Sequence, residues 1–423
     1  MLNTDVLSRI FETAVEADPS SLSTIRSVNC EWFATAGKTP KLWSKLNLNR
    51  KIRFTDPEYV RLHLQNSGEI PLNITITLPE DLPYDTDIPA LGELRKAVHK
   101  IKSLIIEMPS AEAWQKFVSG IGEGQPAPLL ERLVLKVNDA VYDVSHNAPF
   151  ATLSTALTPS PNLIHLQLPA WPLPAHPPPQ LSSVTSLAFV TPFSGLYIPA
   201  LFPLVQAARY LQHFAFKAVD YGAESDPNYW NIICVPQLRT ANVTVPGFGL
   251  DLLRNFHAPL FTDVRLDGYR EVVPDSVWEE DDWGLDERQT ESNLLTLLTS
   301  RSRDIRRLEL HYIHLEHPKE DYNRLLGGQA FPVLEELILE RANIPDTALI
   351  ESAGGHSSLK KLELCNCKYI SADGLRSFVH GRAYNEFVLS IQGCPAISEE
   401  DIESLSKIVR VESKSAAYLP PSW

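Results

Sequence analysis

An apolar phrase that returns at near-constant spacing constrains this chain more than any other feature. Leu334-x-x-Leu337-x-Leu339-x-x-Ala342 is followed by Leu359-x-x-Leu362-x-Leu364-x-x-Cys367 and by Leu389-x-Ile391-x-x-Cys394. The following residues align as well: Cys367, Ile370, Ser371 and Leu375 match Cys394, Ile397, Ser398 and Ile402 at an offset of 27. In L-x-L both Leu side chains point to one side, because side chains alternate along a strand. One such unit cannot cover its own apolar face, so neighbours stack into a parallel ladder whose intervening residues face outward.

The phrase can be followed backwards through Leu104-Ile106, Leu133-Leu135, Leu166-Leu168, Leu187-Phe189, Phe214-Phe216, Ala241-Val243, Val264-Leu266 and Leu308-Leu310, which makes eleven turns with Leu337-Leu339, Leu362-Leu364 and Leu389-Ile391. Most spacings are close to the 20–29 residues of leucine-rich repeats. The pattern resembles the cysteine-containing leucine-rich repeat, with Cys367 and Cys394 at its ladder position. The resemblance implies an α/β fold: a leucine-rich-repeat solenoid with a curved parallel sheet and helices and loops on the convex side.

The opening residues differ in kind. Leu7, Ile10, Phe11 and Ala14 form the stripe of an amphipathic helix, with Thr4 or Asp5 as its N-cap. A second stripe takes in Leu22, Ile25, Val28, Trp32 and Ala36, and Thr39-Pro40-Lys41-Leu42-Trp43 begins a short third turn. About 45 residues are too few to bury a full core alone, so some of this apolar surface is expected to face a partner. The order Leu2, Asp5-Val6-Leu7, Ile10-Phe11, then Ile25, Val28, Trp32, then Pro40, Leu42 and Trp43 resembles the F-box, in a version like that of basidiomycete fungal F-box proteins. The family usually opens with Leu-Pro, whereas here Leu2 precedes Asn3, as expected of a chain lacking an N-terminal piece.

The F-box docks onto the Skp adaptor of cullin-RING ubiquitin ligases. The resemblance therefore implies a small all-α F-box preceding the repeats, with Leu2, Asp5, Val6, Leu7, Ile10, Phe11, Ile25, Val28, Trp32, Pro40, Leu42 and Trp43 as adaptor-binding residues. The alternative is that these helices cap the first repeat, since terminal repeats need capping. The organisation expected is residues 1–48 as F-box and 49–100 as a connecting segment. That segment holds a helix begun by Pro57 and stopped by Gly68, an alternating strand of Leu72, Ile74, Ile76 and Leu78, and a helix marked by Leu91, Leu94 and Val98. The repeats then cover 101–410, with insertions near 159–179 and 268–291, and 411–423 is a tail.

Composition narrows the function. A net charge of −14 without long basic clusters argues against nucleic acid as the main partner. No apolar run approaches a membrane span and no secretory pattern opens the chain, so no membrane role and a cytoplasmic or nuclear location are expected. Five cysteines without zinc spacing fit a reducing compartment. Gly120-Ile-Gly122-Glu-Gly124 reads as a turn rather than a phosphate loop, and His311, His314 and His317 lack a completing ligand for zinc. No catalytic residue, metal or cofactor is predicted.

A substrate surface is expected on the outward residues between the core Leu positions. These are Ile105, Val134, Gln167, Ala188, Ala215, Asn242, Arg265, Glu309, Ile338, Glu363 and Ser390. Arg307, His311, Glu336, Glu340, Lys361 and Cys365 flank them as a polar, mainly acidic field around Ile338. Acidic residues there favour a basic partner segment. Trp278 and Trp283 bracket four acids in the second insertion and are read as contact candidates, because Trp is common among binding anchors. Together the two modules resemble an F-box protein with leucine-rich repeats, which implies a ligase subunit presenting an unknown protein substrate. An interaction scaffold with no ligase role is the rival reading.

Overall fold

The computed structural model describes residues 3–49, 56–78, 88–109, 111–137, 155–169, 177–191, 201–218, 232–244, 253, 255–268, 294–301, 303–353, 355, 358–381 and 386–413. Two compact units result, one of residues 1–192 with 200–210 and one of 193–199 with 211–423. Leu2, Trp278 and Trp283 lie outside the described residues, as does most of the second insertion.

The first unit opens with helices α1 (Thr4–Ala17), α2 (Ser21–Val28) and α3 (Cys30–Gly37), then a short 3-10 turn, Pro40–Trp43. The N-cap of α1 is Asn3, not Thr4 or Asp5: its side-chain oxygen accepts from the Asp5 amide at 3.0 Å. The second apolar stripe is also two helices rather than one. Asn29 adopts an extended conformation and caps α3 through the Trp32 amide at 2.8 Å, so the chain turns between Val28 and Cys30.

Six parallel strands then stack in chain order: β1 (Lys45–Leu48), β2 (Leu72–Thr77), β3 (Ile101–Met108), β4 (Arg132–Val137), β5 (His165–Pro169) and β6 (Ser186–Thr191). Helices α4 (Pro57–Asn66), α5 (Pro89–Lys96) and α6 (Ala111–Gly122) link the first of them. Strand β1 has no counterpart in the sequence reading, which placed 45–48 in the helical module. Its Leu46 and Leu48 pair with Ile74 and Ile76, so the opening helices run directly into the ladder. Strand β5 lies inside the stretch read as a proline-rich insertion, whose residues 170–176 are outside the described residues. Gly120 and Gly122 close α6 instead of forming a turn, and Gly124 takes the positive φ there.

The second unit stacks eight parallel strands: β7 (His213–Ala218), β9 (Thr240–Thr244), β11 (Asp263–Asp267), β12 (Arg307–His311), β13 (Glu336–Glu340), β14 (Lys361–Cys365), β15 (Val388–Gln392) and β16 (Arg410–Ser413). Strands β8 (Ile233–Cys234) and β10 (Phe256–His257) form a separate small pair. Strand β16 enters the stretch read as a tail. Each of the eleven L-x-L phrases falls in a strand, and each unit's stacking is compatible with a solenoid.

The register explains the stacking. Leu308, Leu337, Leu362 and Leu389 are successive partners, as are Leu310, Leu339, Leu364 and Ile391, and all are buried. At about 25 cal/mol per Å2 of apolar area, such columns dominate the stability of a stack. The remaining helices are α7 (Phe202–Ala207), α8 (Leu294–Arg301), α9 (Pro318–Leu326), α10 (Asp346–Glu351), α11 (Ala372–His380) and α12 (Glu399–Ser406), with α9, α10 and α11 packed in sequence.

Proline places the entry to many strands. Ala127-Pro128-Leu129-Leu130, Ser160-Pro161-Asn162-Leu163, Val235-Pro236-Gln237-Leu238, Ala258-Pro259-Leu260-Phe261 and Phe331-Pro332-Val333-Leu334 each close a carbonyl-to-amide hydrogen bond of 3.1–3.2 Å across the turn. Proline in the second position presets its φ for that turn. The first and fourth residues are buried beneath the strand that follows. Strand exits are equally regular: Tyr312, Arg341, Asn366 and Gly393, each directly after a strand, have φ of 57°, 50°, 55° and 63°.

Candidate functional site

The helical module closes a core of its own. Leu7, Phe11, Val15, Leu22, Ile25, Ala36, Leu42 and Trp43 form one buried cluster, with Ala14, Trp32 and Leu62 packed against it. The Phe11 and Trp32 rings meet at a tilt with centres 4.9 Å apart, and the Trp43 indole donates to the Ala36 carbonyl at 2.8 Å. The Trp43 ring also meets His63 of α4 edge-on at 5.1 Å, which ties the module to the next helix.

This burial divides the sequence-predicted adaptor residues. Leu7, Phe11, Ile25, Leu42 and Trp43 are interior and offer a partner nothing without unfolding. Val6 and Ile10, one turn apart on α1, are 45% and 49% exposed, and Val28 at the end of α2 is 51% exposed. Phe33 on α3, which the motif did not single out, is 52% exposed with the Arg26 guanidinium 5.1 Å from its ring centre. Asp5 and Pro40 are exposed and Trp32 is partly so. Four large apolar side chains thus stay open on three consecutive helices. The signal for Phe33 was present in the sequence, because it lies off the stripe that Trp32 and Ala36 define.

The outward face of the second unit carries three rows of side chains. Arg307, Glu336 and Lys361 are partners in the first, Arg265, Glu309, Ile338 and Glu363 in the second, and Asp267, His311, Glu340 and Cys365 in the third. The sequence reading took these positions as an outward, mainly acidic surface for a substrate. The structure buries Ile338, Glu340, His311 and Cys365, and Val134, Ala188 and Ser390 of the outward set are buried too. Neighbouring strands stand close enough for these side chains to cover one another.

The charges are strongly paired. Glu309 takes Arg307 at 2.7 Å and His311 at 3.2 Å, with Arg265 at 3.7 Å, while the other nitrogen of His311 lies 2.7 Å from Glu340. Lys361 meets Glu363 at 2.8 Å, and Arg307 approaches Glu336 at 3.7 Å. Burial opposes ionisation of Glu309, but the His311 hydrogen bond and the flanking guanidiniums outweigh it and hold its carboxyl below the ordinary value. Burial pushes Asp267 up, with His311 and Arg265 pulling against it. The field around Ile338 is therefore a lattice of largely paired charge in which five carboxylates outnumber Arg265, Arg307 and Lys361.

The ladder cysteines face backbone. Cys367 donates to the Leu339 carbonyl at 3.7 Å and Cys394 to that of Leu364 at 3.7 Å. In the preceding repeat Asn343 takes a similar role, bonding the Leu315 amide and carbonyl at 3.1 and 3.0 Å. The adjoining Cys394 thiol and burial push the Cys367 thiol up, so it stays protonated. Among the described residues no group of His, Cys, Asp or Glu is placed to hold a metal ion, and no helix is long and apolar enough to cross a membrane. No protein-family model matches the chain, and neither does any curated protein.

Proposed function

We propose that this chain is the substrate-recognition subunit of a Skp-cullin-F-box type E3 ubiquitin ligase, its opening helices binding the Skp adaptor and its ladder, of leucine-rich-repeat type, binding a protein substrate. The observation that carries the reading is that α1, α2 and α3 close a core and still leave Val6, Ile10, Val28 and Phe33 open. Large apolar side chains grouped on one small module are characteristic of a binding face. On this reading the chain performs no covalent step. It raises the effective concentration of a substrate lysine near the charged conjugating enzyme.

The test is capture of a purified Skp adaptor by full-length protein, repeated with Ile10→Asp and Val28→Asp. Binding by the wild type and its loss in both variants, with unchanged circular dichroism, supports the proposal. A folded wild type that captures no Skp adaptor overturns it. The rival reading, a repeat scaffold whose helices are a cap, draws support from the continuity of α3, Trp43 and β1 with the ladder. A scaffold would bind its partners with Ile10→Asp unaltered.

A further inference from the structure

The His311 ring stands between two carboxylates on two strands. Its Nδ1 is 2.7 Å from Glu340 Oε2 of β13, and its Nε2 is 3.2 Å from Glu309 Oε2 of its own strand. An ionised carboxylate only accepts hydrogen bonds, whereas neutral imidazole carries one N–H. With both carboxylates ionised, the two contacts are satisfied together only when both ring nitrogens hold protons, which makes the ring an imidazolium. The second Glu309 oxygen already accepts from Arg307 Nε at 2.8 Å, so Glu309 is held as a carboxylate from the other side.

We propose that His311 is a proton-operated fastener of the β11–β13 stretch: as imidazolium it ties Glu309 to Glu340 across the strand boundary, and loss of its proton releases that joint. Among the described residues the groups around it are Glu309 and, through Glu309, Arg307 on β12, Arg265 and Asp267 on β11, Glu340 and Glu336 on β13, and Cys365 on β14. Without the His311 proton, Arg265 and Arg307 remain to face Glu309, and Glu340 loses its hydrogen-bonded cation. The side chains of His311, Glu309 and Glu340 are 7%, 13% and 4% exposed, so water does not screen the change.

The direction of the effect follows from linkage. Burial opposes the charge on His311, but hydrogen bonds to Glu309 and Glu340 outweigh it and raise its pKa above the ordinary value. The contribution is therefore complete below the unfolded value of about 6.5 and is lost as pH rises through the folded one. Glu309, held low, contributes in the opposite sense and loses its share only under acid conditions. The fastener thus weakens as pH rises above about 6.5. It is independent of any ligase role.

The experiment uses full-length protein. Imidazole nitrogen NMR, assigned with His311→Gln, follows the ring from pH 5.5 to 9, and urea unfolding is measured over the same range. Expected are a His311 titration above about 6.5 and a wild-type advantage over His311→Gln that shrinks by up to about tenfold in the unfolding constant per pH unit through that window. Glu340→Gln lowers the titration point. A His311 that titrates at or below about 6.5, or an advantage that does not vary with pH, overturns the proposal. Should neither variant fold, the wild-type spectrum decides: it supports the proposal if one imidazole titrates high with slowly exchanging protons on both nitrogens, and overturns it if all twelve titrate at or below the ordinary value.

Discussion

Trp43→Ala tests whether the opening module is a folded portion of the first unit. Trp43 is 1% exposed, donates to the Ala36 carbonyl and abuts His63. Truncating a buried Trp costs about 3–5 kcal/mol in lost burial and cavity formation. Leaving the Ala36 carbonyl buried without its donor adds about 1–3 kcal/mol, less than additively because the cavity can admit water. A loss of about 4–6 kcal/mol rivals the whole stability of an ordinary domain. The two compact units need not unfold together, so a single melting curve is a poor reporter. Hydrogen exchange read by mass spectrometry resolves them: protection should fall over 4–48 and 57–77 and persist over 307–392. Protection unchanged over the opening helices, with the urea midpoint moved by less than the equivalent of about 1 kcal/mol, would refute the reasoning.

Three further outcomes follow from the same geometry. Asn343→Ala removes two hydrogen bonds to Leu315 and should lower stability by about 2–3 kcal/mol, seen as a shifted urea midpoint of the second unit. Gly393→Ala forces a side chain into the left-handed region against the Asn366 side-chain oxygen and should cost at least about 1–2 kcal/mol by the same assay. Pro332→Ala leaves the turn's hydrogen bond in place and frees the unfolded chain, so it should cost only about 0.4–1 kcal/mol, detected as faster exchange at the Leu334 amide.

The ladder was legible because its signal is a column of Leu at period two, repeated often enough to set the register. Strands β1 and β16 escaped because each shows one short apolar pair, Leu46-Leu48 and Val409-Val411, with no phrase after it. The entry turns were visible only as many prolines between phrases. Their common form, a proline two residues before a buried Leu or Phe, shows once the hydrogen bonds across them are seen. The outward surface was misjudged for a physical reason. Alternation tells which side a residue faces, not how closely strand neighbours crowd it, and neighbours are what bury Val134, Ile338 and Glu340.

The same limit bears on the opening helices. An apolar stripe marks a face that must be covered, but not by what: here Leu7, Phe11 and Val15 are covered by α2, α3 and Trp43, while Val6 and Ile10 of the same helix are not. Deleting residues 1–48 therefore cannot separate an adaptor hook from a cap. It would remove β1 from β2 and strip Leu62 and His63 of their packing on either reading. Single substitutions on the open side chains can separate them, since a surface change from Ile10 to Asp costs the fold within about 0.5 kcal/mol while placing a charge where an apolar partner would sit. Of the residues the motif names, those that hold the module together and those that can meet another protein are distinct sets. Only the second set reports on function.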